Sequence, residues 1–144
     1  MRITSLESLI HTISPEGQTG PIRVGVDIAE IDRIRAVAAR WGERFLRRIY
    51  TERERAYCRK RPPQLAARFA AKEAVMKALG TGTRGVGWVE VEVCKEPSGA
   101  PTVRLHGRAM RRAQALGLAH FAISLSHSRE HAIAFVIATR GESA

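Results

Sequence analysis

The run QLAARFAAKEAVMKALG (64–80) constrains the fold most, because it leaves room for little but a long, closely packed helix. Pro62 and Pro63 stand just before it, where a missing backbone N–H costs nothing, and Gly80 follows as a C-terminal stop. At a helical period, Leu65, Phe69, Met76 and Leu79 fall on one stripe, which the pattern predicts to be buried. Lys72 falls inside that stripe, Glu73 on its margin, and Lys77 one turn beyond Glu73 on the same side. Charged groups in such positions need partners. Either Lys72 snorkels outward and Glu73 pairs with Lys77, a contact worth about 0.2–0.5 kcal/mol, or the trio serves a binding site.

The other segments are shorter. IRVGVDI (22–28) is β-branched and reads as a strand. A helix is expected from about Glu30 to Trp41, with Ile34, Val37 and Trp41 facing inward and Gly42 interrupting it before a basic stretch to Tyr50. Thr51-Glu52-Arg53-Glu54 has capping-box spacing and opens another short helix. WVEVEV (88–93) alternates as a half-exposed strand does, EPSGAP (96–101) is turn chemistry, and TVRLHG (102–107) returns as the hairpin partner. GRAMRRAQALG (107–117) reads as an amphipathic helix. FAISLS (121–126) and AIAFVIA (132–138) close the chain as two strands. The second is apolar at nearly every position and is expected to be central.

Ahead of these lies an expected N-terminal extension, residues 1–21. Thr4-Ser5-Leu6-Glu7 and the spacing of Leu6, Leu9, Ile10 and Ile13 suggest a short helix, and SPEGQTGP (14–21) a flexible linker. Residues 141–144 form a tail. With 144 residues, no repeat and no βαβ rhythm, the chain is expected to be α+β: one domain, a mainly antiparallel sheet packed against a long central helix.

Composition narrows the setting. No run of 18 apolar residues appears, the start lacks a secretory pattern, and two cysteines make no disulfide framework, so a cytoplasmic protein is expected. The charge is distinctive: 24 Lys and Arg against 14 Asp and Glu give +10. Between Arg33 and Arg61, eleven basic residues face three acidic ones, leaving +8 in that segment. Its partner should be anionic: an acidic protein, a nucleic acid or a membrane surface. The nucleic-acid reading is the weaker one, since Tyr50 and Tyr57 are too sparse to form a stacking platform and no reader motif is present.

Asp27 interrupts the apolar Val24, Val26 and Ile28, where a carboxylate is costly unless paired or bound to metal. A cap for the following helix is the alternative. If Asp27 and Glu73 meet, two carboxylates are too few to cage Ca²⁺ or fill a Zn²⁺ site. They suit Mg²⁺, whose shell is completed by water and substrate phosphates. Lys72, Lys77 and Arg68 would then face phosphate oxygens. His127 and His131 stand four apart but in a turn between strands, so a helical zinc pair is not expected, and Ser126 beside His127 makes no nucleophile–base pair. GTGTRGVG (80–87) follows a helix rather than opening one, unlike a P-loop.

VGVDI (24–28), RFAAKEAVMKALGTG (68–82) and SLSHS (124–128) before an alanine-rich strand occur in the order and spacing of a known family. From Ile22 to Thr139 the chain resembles the holo-acyl-carrier-protein synthases, the small trimeric phosphopantetheinyl transferases. The resemblance implies a transferase domain over 22–140 that moves the phosphopantetheine arm of coenzyme A onto a serine of an apo acyl carrier protein. It implies a catalytic set of Asp27, Glu73 and Lys77, with Asp27 and Glu73 holding Mg²⁺ against the coenzyme A pyrophosphate. It implies that Arg68, Lys77, Gly80 and His127 line the coenzyme A site. A homotrimer with sites at subunit interfaces follows, in which Arg68 and His127 serve a neighbour. The acidic carrier would dock on the helix after the first motif, at Arg33, Arg40 and Arg44.

Overall fold

Gly25 and Ala74 set the distance between the two halves of the fold. In a computed structural model, which describes residues 20–142, the elements run β1 (Ile22–Glu30), α1 (Ile31–Trp41), α2 (Glu43–Ile49), α3 (Glu52–Cys58) and α4 (Pro62–Leu79). A 3₁₀ turn (Trp88–Glu90), β2 (Val91–Lys95), β3 (Pro101–Leu105), α5 (Gly107–Ala115), β4 (Leu118–His127) and β5 (His131–Arg140) complete them. The expected N-terminal helix lies outside the described residues. A β-carbon added to Gly25 would stand 1.8 Å from the Ala74 carbonyl oxygen, so α4 rests backbone to backbone on β1. Alanines keep that contact close: Ala70, Ala71, Ala74 and Ala78 on the helix meet Ala132, Ala134 and Ala138 on β5, all buried.

The main sheet is antiparallel in the order β1-β5-β4, with β5 central as its apolar run implied. β2 and β3 form the expected hairpin apart from it. The α+β expectation holds, and so do the capping box at Thr51 and Glu54 and the left-handed Gly80 (φ 73°) that closes α4.

Four features depart from the sequence reading or add to it. First, the facing of β1, which the sequence left open: Val24, Val26 and Ile28, with Ile22, face outward, between 43% and 59% exposed. The helix-facing side carries Arg23, Gly25, Asp27 and Ala29, with Gly25 at the point of closest approach, where no side chain fits. Secondly, Trp41 is 52% exposed, since Gly42 (φ 55°) breaks the helix and α2 sends Leu46 and Ile49 inward instead. Thirdly, α4 has no single buried stripe. The sheet covers one side and the α3–β2 region another, so Ala66, Arg68, Lys72 and Val75 are as buried as Leu65 and Met76. Finally, WVEVEV alternates only in sequence. Its first half is the 3₁₀ turn, and Val91, Glu92 and Val93 are all buried. Glu92 is held there by the Thr51 hydroxyl (2.5 Å) and by His106 (3.3 Å).

Candidate active site

The contact at Gly25 also positions two acids. Asp27 lies two residues farther along the inner face of β1, and Glu73 immediately precedes Ala74 on α4. Both line one cleft, together with Phe69, Arg33 and His131. Asp27 caps nothing: the N-cap of α1 is Glu30, whose side chain makes no cap bond. Instead Asp27 accepts a hydrogen bond from Lys77 Nζ at 3.0 Å, and the same ammonium donates to the Val26 carbonyl at 3.0 Å. Burial holds the Glu73 proton more tightly than an ordinary glutamate does. The neighbouring Asp27 charge adds to this, while Lys77 and Arg33 pull the other way. The two carboxylates therefore feel each other as like charges, with two cations at the rim.

That donor set fits Mg²⁺. Among the described residues no group of three or more His, Cys, Asp or Glu is placed to hold an ion. A pair of carboxylates beside room for phosphate and water is what Mg²⁺ accepts and what Zn²⁺ or Ca²⁺ does not.

Lys72 is not part of the cleft, which overturns both the outward-snorkelling and the phosphate-facing expectations. Its ammonium is fully buried, 2.6 Å from Glu54 Oε1, and donates to the carbonyls of Trp88 (3.0 Å) and Val91. Glu54 also accepts from the backbone N–H groups of Thr51 (2.9 Å) and Val93 (3.0 Å). The ion pair ties α3, α4 and β2 together with every partner occupied.

Arg68 and His127 line a second cavity, with Tyr57 and Lys95. Arg68 is 5% exposed, its guanidinium carbon lies 4.1 Å from the Tyr57 ring centre, and its buried Nε has no hydrogen-bond partner among the described residues. Burial raises the Tyr57 hydroxyl, but a hydrogen bond with Lys95 and the charges of Arg68, Lys95 and Arg61 outweigh it and hold the group below the usual tyrosine range. Arg68 and Glu73 are five positions apart on one helix, so they point about 140° away from each other. Gly80 lines neither cavity.

The family model described as 4'-phosphopantetheinyl transferase superfamily matches residues 23–136, which contain all three sequence blocks. The chain belongs to that superfamily. Within it, the holo-[acyl-carrier-protein] synthase of Herpetosiphon aurantiacus is 52% identical over 120 residues, spanning 78% of this chain and 94% of the relative. The Gloeobacter violaceus protein of the same name is 48% identical over 124 residues, 83% of this chain and 94% of that one. Two crystal structures share the fold. The Helicobacter pylori holo-[acyl-carrier-protein] synthase in complex with coenzyme A matches with a TM-score of 0.74 and 29% identity over 81% of this chain and 99% of that one. The Neisseria meningitidis enzyme gives 0.75 and 30% over 82% and 98%.

Seen in this transferase superfamily member, the residues singled out in the sequence divide into two groups. Asp27, Glu73 and Lys77 come together, and Arg33, expected on a docking surface, joins their cleft. Arg40 and Arg44 lie farther along, Arg40 stacked 5.2 Å from the Trp41 ring centre and Arg44 beside Trp41 in an apolar hollow. Arg35 and Arg47 are engaged by Asp32 and Glu43, whereas among the described residues Arg33, Arg40 and Arg44 have no ion-pair partner. Sequence reasoning missed Phe69 and His131 in the cleft and Tyr57 and Lys95 in the second cavity. His131 becomes visible only through pairing, since the β1–β5 register sets it opposite Glu30.

Proposed function

We propose that this protein transfers 4'-phosphopantetheine from coenzyme A to a serine of an apo acyl carrier protein, with Mg²⁺ held by Asp27 and Glu73. The convergence of those acids in one cleft, with Lys77 paired to Asp27, carries the reading. Support also comes from relatives named holo-[acyl-carrier-protein] synthase, and from one relative's complex with coenzyme A. The serine hydroxyl oxygen attacks the phosphorus next to pantetheine, and its proton is released to water. The bond from that phosphorus to the bridging oxygen breaks, and adenosine 3',5'-bisphosphate leaves with that oxygen and its electron pair. Mg²⁺ supplies charge neutralisation of the diphosphate. Asp27 and Glu73 orient that charge, and Lys77 balances a phosphate oxygen as negative charge moves toward the leaving group.

The functional assembly is a homotrimer in a cytoplasmic setting. The outer face of the sheet presents Ile22, Val24, Val26, Ile28, Ile133 and Phe135, each at least 41% exposed, an apolar face of the kind that marks an interaction surface. Because Arg68 points away from Glu73 and shares its cavity with His127, the two serve a neighbouring subunit's coenzyme A, while Gly80 closes α4. The acidic carrier docks along α1. Arg33 at the cleft and Arg40 and Arg44 beyond it give a basic track that leads the serine to the phosphate. No observation favours the nucleic-acid alternative.

The test mixes the protein with apo carrier, coenzyme A and Mg²⁺ and looks by mass spectrometry for the phosphopantetheine adduct. Absence of adduct with several acidic carriers, or full activity in excess EDTA, would overturn the proposal. Asp27→Ala and Glu73→Ala should each abolish transfer while the chain stays folded.

A further inference from the structure

Lys77 and the proposed cation compete for the same oxygen. Its ammonium lies 3.0 Å from Asp27 Oδ1 and is also held by the Val26 carbonyl, so the chain itself supplies Asp27 with a counter-ion. The two partners differ in freedom: the Asp27 side chain is 14% exposed and fixed on a strand, while that of Lys77 is 54% exposed on a flexible stem in the last turn of α4. One turn earlier on the same side stands Glu73, whose charge Lys77 also offsets.

We infer that Lys77 is a placeholder cation: it neutralises Asp27 in the empty site, opposes binding of a free divalent ion, and moves off only when a diphosphate arrives with the ion. The inference rests on the reading of Asp27 and Glu73 as the cation site. A divalent ion on Asp27 would lie at about 2.0–2.1 Å from its oxygen, within a few ångströms of the ammonium, and like charges at such range repel. Either the ammonium stays and weakens the ion's binding, or it leaves and forfeits its bond to Asp27. A diphosphate removes both costs, because its oxygens complete the ion's shell and give Lys77 a new anion. Ion and coenzyme A therefore bind as a pair, each raising the other's affinity by one common factor.

Mn²⁺ serves as the probe, its free concentration read by electron paramagnetic resonance as the full chain is titrated with and without coenzyme A. In the wild type, Mn²⁺ alone should bind weakly, and coenzyme A should tighten it at least about tenfold. Lys77→Met should bind Mn²⁺ alone about 5- to 10-fold more tightly than the wild type, and its gain from coenzyme A should shrink. Lys77→Arg, which keeps the charge, should retain the weak binding of Mn²⁺ alone. Equal Mn²⁺ affinity of wild type and Lys77→Met without coenzyme A overturns the placeholder role. Should Asp27→Ala bind Mn²⁺ with coenzyme A as well as the wild type, the cation site itself is misassigned and the inference falls with it. Lys77→Gln repeats the comparison if the methionine variant aggregates.

Discussion

Gly25 and Ala74 touch through their backbones: a β-carbon on the glycine would lie 1.8 Å from the alanine carbonyl oxygen. The same contact places Asp27, two residues along the strand, beside Glu73, the residue before Ala74. Packing and site geometry are thus one feature.

Gly25→Ala should accordingly damage both. The added methyl cannot be absorbed by a flexible side chain, because what it meets is backbone, so α4 must lift from β1. We expect a loss of about 1–3 kcal/mol in urea unfolding and a larger fall in transfer rate than that loss alone explains. A variant as stable and as active as the wild type would mean that the helix does not sit this close.

The sequence made some of this legible. The ends of α4 followed from Pro62, Pro63 and Gly80, the hairpin from its turn residues, and the central place of β5 from its unbroken apolar run. The facing of β1 did not follow, because Arg23, Gly25, Asp27 and Ala29 alternate with Val24, Val26 and Ile28 without saying which set meets the helix. Where a helix packs through alanine and glycine, the small residues go inward and the valines and isoleucines outward. Lys72 misled for a related reason. One helix period cannot reveal that α4 is covered on more than one side, nor that Glu54, eighteen residues earlier, waits there as a partner. The Asp27–Glu73 pairing was visible as two anomalies in separate blocks, and only the strand–helix contact joins them.

Lys72→Met should be strongly destabilising although it removes a charge from the interior. The substitution leaves Glu54 buried with its lysine gone and the Trp88 and Val91 carbonyls without that donor. Breaking a buried pair from one side costs about 3–5 kcal/mol. Chemical denaturation of Lys72→Met and of Lys72→Met with Glu54→Gln gives the check: the double variant should recover part of the loss, because its glutamine is neutral and still accepts a backbone N–H. No difference in stability between wild type and Lys72→Met would show that the pair is not buried as described.

Alkaline pH should weaken the fold through two buried acids. Burial pushes the Cys58 thiol up to about 11, against an ordinary value of 9.0. Burial also raises Tyr50, whose hydroxyl donates to the Leu65 carbonyl at 2.7 Å. The native chain keeps protons that the unfolded chain releases, so stability is complete below pH 9 and falls as pH rises from 9 toward 11. For Cys58 alone the loss approaches about 3 kcal/mol. Unfolding free energies measured across that interval should slope downward, and the gap between wild type and Cys58→Ala should narrow with rising pH. A constant gap would place the Cys58 thiol in contact with solvent.

The outer sheet face gives the sharpest test of the proposed assembly. Val26 lies directly opposite Phe135 across the β1–β5 pair, and Ile28 opposite Ile133, so two charges introduced there sit in the middle of one apolar stripe. None of these side chains supports the core beneath, which is built from the alanines on the other face of the same strands. Val26→Glu with Phe135→Glu should therefore leave the chain folded by circular dichroism while converting the trimer to monomers in sedimentation equilibrium. Transfer should fall at the same time, because Arg68 and His127 would no longer reach a neighbour's coenzyme A. If the doubly substituted chain still sediments as a trimer, some other surface holds the subunits together. If it becomes monomeric yet transfers at the wild-type rate, the site is complete within one chain, and the role given to Arg68 and His127 is wrong.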